Sequence, residues 1–105
     1  MRALLLIGLL LLATACDPER PAVVEVTPLD QFSPGALTVD TGTRVVWKNM
    51  DTAPHTVTSD GAWDSGDIYP GQTWSHTFDA PGTFIYLDRY SPPNQTVGVI
   101  TVQNQ

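Results

Sequence analysis

The sequence predicts an all-β domain, a sandwich or barrel of seven or eight short strands. Three observations predict it. After Leu12 no segment carries an apolar period of 3.6 residues over a useful length. Short runs rich in Val, Thr and aromatic residues alternate between apolar and polar positions. Turn signals built from Pro, Gly, Asp and Ser interrupt those runs every few residues.

The chain has 105 residues, the length of one small domain. Its first residues read as a targeting signal. Met1-Arg2 gives a positive start, Ala3 to Leu12 is apolar, and Ala13-Thr14-Ala15 is a small-residue cleavage site. The organisation expected is therefore a signal peptide over 1–15, a tether over 16–22 with Pro18 and Pro21, and a folded domain over 23–105. Cys16, the single cysteine, would become the first mature residue and has no intrachain disulfide partner. Leu12-Ala13-Thr14-Ala15-Cys16 resembles a bacterial lipobox, although Ala13 stands where Leu is usual. That resemblance implies a lipidated Cys16, attachment to a membrane through the lipid, and a place on the bacterial cell envelope. Each buried CH₂ of an acyl chain contributes roughly 0.8 kcal/mol to such anchoring.

From Cys16 onward the chain keeps four basic and all eleven acidic residues, a formal charge of −7. That balance argues against nucleic acid and against attraction to anionic lipid headgroups; it permits a basic protein partner, with plain solubility as the preferred reading. The partner class expected from the location is an envelope protein.

The elements follow in order. Val23 to Thr27 is the first strand, stopped by Pro28, with a connection over Leu29 to Pro34. Ala36 to Val39 is the second, closed by the turn Asp40-Thr41-Gly42. Arg44 to Asn49 alternates, placing Val45, Trp47 and Asn49 on one face. His55 to Thr58 reads as a short strand, and Trp63 to Asp67 as irregular chain. Gln72 to Phe78 sets Trp74, His76 and Phe78 on one face, with His76 expected in the core. Phe84, Tyr86 and Asp88 share a face on the next strand, and Gly98, Ile100 and Val102 on the last. Ile85, Leu87, Val97 and Val99 then point outward as an apolar strip, a candidate interface.

Several motifs agree in order and spacing with one family. Gly42 to Val57, with its Trp47-Lys48-Asn49 and Ala53-Pro54-His55-Thr56-Val57 segments, resembles the plastocyanin, amicyanin and pseudoazurin group of cupredoxins. So do Asp64-Ser65-Gly66, Pro70-Gly71-Gln72 and Thr77 to Tyr86. The resemblance implies a Greek-key β-sandwich and, for the family at large, copper binding and electron transfer.

The family's copper site takes one His from the Asn-to-His segment, then Cys, His and Met from the loop between the last two strands. Carried onto this chain, the first ligand position is His55. The Cys position is Asp88, the second His position Ser91 and the Met position Thr96. A blue copper centre needs a thiolate, two imidazoles and a weak axial ligand. Asp88 offers a harder oxygen donor in place of sulfur. The expectation is thus a non-blue domain with no cofactor, in which Asp88 and His55 form a hydrogen-bonded pair where the metal would be. The alternative is an atypical copper site at His55 and Asp88. Asn49 resembles the family's loop-tying asparagine. Asp88, aimed inward, needs a partner among His55, Asn49 and Ser91, because a buried lone carboxylate is costly.

Catalytic arrangements are missing from the sequence pattern. Ser75-His76 and Ser91 lack a triad context, and no phosphate loop or His-rich metal motif occurs. An enzyme is not expected.

Overall fold

The structure, a computed structural model, describes residues 20–92 and 96–104. The signal peptide, Cys16 and most of the tether lie outside the described residues. No helix occurs among the described residues, and none is long and apolar enough to cross a membrane.

Among the described residues nine strands form two sheets. They are β1 (Ala22–Thr27), β2 (Gln31–Ser33), β3 (Ala36–Asp40), β4 (Thr43–Asn49), β5 (Thr58–Ser59), β6 (Trp63–Asp64), β7 (Thr73–Phe78), β8 (Gly82–Leu87) and β9 (Val97–Gln103). One sheet has the order β2-β1-β4-β7 and the other β3-β9-β8-β5-β6. Two pairs, β1 with β4 and β3 with β9, run parallel, and the remaining pairs are antiparallel. The all-β sandwich expected from the sequence is the fold observed.

The count exceeds the expected seven or eight, and the reason is local. β2 and β6 are very short strands carried by stretches that read as a connection and as irregular chain. Each pairs with a neighbour on one side, so tertiary pairing and not propensity makes them strands. The expected strand from His55 to Thr58 contracts to an isolated bridge between His55 and Ile68 followed by the two-residue β5. β1 also begins one residue early, at Ala22, because it pairs with Val45 of β4.

The core follows from the alternation. Val24 and Val26, Val45 and Trp47, Phe78, Tyr86, Ile100 and Val102 are buried between the sheets. Trp47 has no exposed surface and packs edge-on to Tyr86 at 5.4 Å between ring centroids, with Trp74 at 5.6 Å. Such pairs add about 0.5–1.5 kcal/mol beyond the area they bury. Gly98 pairs with Tyr86 across β8 and β9, and a Cβ there would collide with the Tyr86 ring. The glycine in this strand is a space requirement.

His76 is half-buried on β7, at the edge of its sheet, and not in the centre of the core. It stacks on Trp63 at 5.0 Å and on Trp74 at 5.8 Å. The expected inward direction holds, but an edge strand leaves its inward face partly open. On the outer face of the second sheet, Ile85, Leu87 and Val97 are exposed and Val99 is half-buried. Register puts Ile85 beside Val99 and Leu87 beside Val97.

Candidate functional site

One pole of the sandwich gathers polar side chains that the strands cannot absorb. Three pieces of chain build it: the turn between β1 and β2, the segment after β4, and the loop after β8.

Asn49, the last residue of β4, is buried and ties the second piece. Its side-chain nitrogen donates to the carbonyls of Ala53 and Ile68, both at 2.8 Å. Its oxygen accepts from the Asp51 amide at 2.8 Å. One amide thus satisfies three backbone groups that a turn would otherwise leave unpaired. The turn delivers His55, whose backbone bridges to Ile68 in both directions.

His55 is 5% exposed, and carboxylates surround its ring. Nε2 lies 2.7 Å from Asp51 Oδ2. Nδ1 is hydrogen-bonded to Asp88 Oδ2, and Asp30 Oδ1 stands 3.4 Å from the same nitrogen. A neutral imidazole has only one N–H, so only the imidazolium can donate to carboxylates on both sides. Burial works against that charge. The hydrogen bonds to Asp88 and Asp51 and the charges of Asp88 and Asp30 outweigh it, so His55 is raised above its ordinary 6.5. The reciprocal effect lowers Asp51 below 3.8, chiefly through its hydrogen bond to His55.

Asp88 sits just past the end of β8 and is 1% exposed. Its Oδ2 faces His55, and its Oδ1 accepts from the amides of Thr56 and Tyr90, each at 3.0 Å. The carboxylate is therefore fully partnered without water, as a buried charge requires. Among the partners considered from sequence, His55 is the one engaged. Asn49 is committed to its own turn. Ser91 donates its backbone amide to the Asp88 carbonyl at 3.1 Å, while its hydroxyl turns elsewhere.

That hydroxyl leads to a residue missed by the sequence reasoning, Asp30. Ser91 Oγ donates to Asp30 Oδ2 at 2.7 Å. Thr96 Oγ1 donates to the Asp30 carbonyl at 2.8 Å, and the two hydroxyl oxygens lie 2.8 Å apart. Asp30 has a positive φ of 61°, a conformation that Asp tolerates better than most residues. An Asp between Pro28 and Gln31, in a turn, was the available signal. The pairing over more than sixty residues was not legible.

The structure thus brings His55, Asp88, Ser91 and Thr96 to one pole with Asp30 among them. Asp30, His55 and Asp88 offer ligand atoms that all lie within 4.8 Å of one another. The donor set is two carboxylates and one imidazole. It lacks the thiolate of a blue copper centre. The single cysteine, Cys16, precedes the described residues. The oxygens and nitrogens present are also bonded to one another, with the exception of Asp30 Oδ1. These residues do not fit a blue copper ion.

Comparison with known proteins places the fold. The family model for the Cupredoxin-like domain matches residues 2–102. Among solved structures, the Cu(I) form of an amicyanin variant is 24% identical, with a TM-score of 0.74, covering 85% of this chain and 88% of that one. A purple cupredoxin from Nitrosopumilus maritimus is 27% identical, with a TM-score of 0.67, covering 78% and 99%. A Cu-containing nitrite reductase from Thermus scotoductus SA-01 is 21% identical, with a TM-score of 0.74, covering 82% of this chain but 23% of that one.

Proposed function

The chain belongs to the cupredoxin family, and from that premise we propose that it is a non-blue member: a binding or structural module with no catalytic role. The observation that supports this is the engagement of His55 Nδ1, the atom facing the pole, by the buried carboxylate of Asp88. A hydrogen-bonded ion pair then does what a metal does in a copper protein, joining the loop after β4 to the loop after β8. No cofactor is required for that task. The amicyanin and nitrite reductase relatives are copper proteins by description; this chain keeps their frame and uses the pole for internal bonding.

The proposal extends to place and partner. The leader over 1–15 exports the domain, Cys16 carries a lipid, and the tether over 16–22 holds the domain at the surface of the bacterial cell envelope. The partner is an envelope protein, received on the outer strip of Ile85, Leu87, Val97 and Val99.

A second reading is favoured by the close grouping of Asp30, His55 and Asp88. It makes the pole an atypical copper site of one imidazole and two carboxylates. Adding Cu(II) to the purified chain and recording visible absorption, then measuring copper after dialysis, separates the readings. The proposal expects no intense visible band and no retained copper. A stoichiometric copper that survives dialysis overturns it in favour of the atypical site, and an intense blue band overturns both.

A further inference from the structure

Asp30 belongs to none of the positions that the family resemblance assigns, yet it touches nearly all of them. Its carboxylate takes the Ser91 hydroxyl, its carbonyl takes the Thr96 hydroxyl, and its second carboxylate oxygen faces His55 Nδ1. Asp88 closes the other side of the same nitrogen. Asp30 is thus half-exposed as a side chain, but its Oδ1 is buried and faces the same nitrogen that Asp88 engages.

We infer that Asp30 is an internal plug: the turn between β1 and β2 inserts a carboxylate into the space where the fold family places its metal ion, and so determines that the pole is closed by protein atoms alone. This goes beyond the proposed function, which needs only the His55–Asp88 pair.

Three features carry the inference. The first is geometry. Residues 91 and 96 point their hydroxyls at one acceptor residue 61 and 66 positions away in the chain. Each hydroxyl has one proton to give, and both are given to Asp30. The second is charge. A ring flanked by Asp30, Asp51 and Asp88 already supplies a cation to these carboxylates. An incoming metal ion would have to displace the ring proton and break those contacts together. The third is backbone placement. Asp30 holds φ at 61°, and its amide is tied to the Thr27 carbonyl at 2.9 Å, so the turn presents the side chain at a fixed position.

The plug is tested by rebuilding the family's ligands around it. Asp88→Cys, Ser91→His and Thr96→Met are combined in the full chain, once with Asp30 kept and once with Asp30→Gly, which suits the positive φ. Cu(II) affinity and visible absorption are measured for both. With Asp30 kept, its carboxylate stands beside His55 and competes with the rebuilt ligands for the place the ion would take. Removing it is expected to raise the affinity by about tenfold or more, the scale on which neighbouring groups tune metal sites. Equal affinities and equal spectra overturn the inference.

Should the rebuilt loop fail to fold, two measurements on the otherwise natural chain decide. Ser91→Ala frees the plug from its loop. It is expected to speed amide exchange at Ser91 and Asp88 by about tenfold relative to the β1–β4 amides; unchanged exchange overturns the inference. Zinc retained by the unsubstituted chain after dialysis, and lost on Asp30→Asn, also overturns it, because Asp30 would then be a ligand. That last result also removes the ion-pair reading of the pole, whereas equal affinities in the rebuilt pair overturn the plug and leave the ion pair standing, so the two claims fail separately.

Discussion

The two ends of the Tyr86–Asp88 stretch obey different rules. Tyr86 lies in an aromatic core where shape decides: Trp47, Phe32 and Gly98 surround it, and its hydroxyl has no hydrogen-bond partner among the described residues. Burial pushes that hydroxyl up to about 12. Two residues on, Asp88 is equally buried, and each of its oxygens is bonded. The core tolerates an orphan hydroxyl, which is neutral. At the pole the buried charge of Asp88 is fully bonded, and Asp30 Oδ1, which has no hydrogen bond, lies 3.4 Å from His55 Nδ1. The cupredoxin-like frame rests on the shape of the core, while the pole rests on pairing its charges.

The sharpest way to break that contrast is in the core. Trp47→Ala removes the ring that touches Trp63, Trp74, Phe78 and Tyr86. A loss of about 3–5 kcal/mol is expected from chemical denaturation, enough to unfold a small domain. Gly98→Ala, at the strand position facing Tyr86, costs about 1–3 kcal/mol by overpacking.

At the pole the cost comes from charge. Asp88→Ala leaves His55 without its buried partner and unpairs the Thr56 and Tyr90 amides. Removing one member of a buried pair costs about 3–5 kcal/mol, here reduced because Asp51 still holds the ring. Asn49→Ala deletes three hydrogen bonds to backbone groups, with a loss of about 1–3 kcal/mol.

The pH dependence has a definite sign. His55 is raised in the folded state, so its contribution to stability is complete below 6.5 and fades as pH climbs through the folded value. Asp51 is lowered, so its contribution is present above 3.8 and fades as pH falls through the folded value. Unfolding midpoints measured across pH should therefore drop on the alkaline side in the natural chain, and this drop should flatten in His55→Gln. Gly98→Ala should keep it.

The smallest effect is expected on the outer strip. Leu87→Asp lies on an exposed position and should shift stability by no more than about 0.5 kcal/mol. Its effect should fall on partner binding, read by co-purification from envelope extracts. A partner that persists places the interface elsewhere.

Much of the frame was legible in the sequence, because alternation in Arg44 to Asn49 and Gln72 to Phe78 is a direct record of which face is buried. β2 and β6 were not, since two- and three-residue strands carry no period and exist only through their neighbours. At the pole the pairing of Asp88 with His55 was open to reasoning, because both were placed by register and a buried carboxylate demands a partner. Asp30 was hidden for a different reason. Its role depends on a turn from the other sheet meeting a loop some sixty residues on, which spacing alone does not encode.

The central claim is that a protonated histidine held by carboxylates, and not a metal, joins the polar loops. Nitrogen NMR of the histidine-labelled full chain tests it most directly. Both His55 ring nitrogens are expected to carry protons at neutral pH, and one equivalent of Cu(II) is expected to leave their signals unchanged. Loss of the His55 signals with one equivalent of Cu(II), while those of His76 persist, would contradict it.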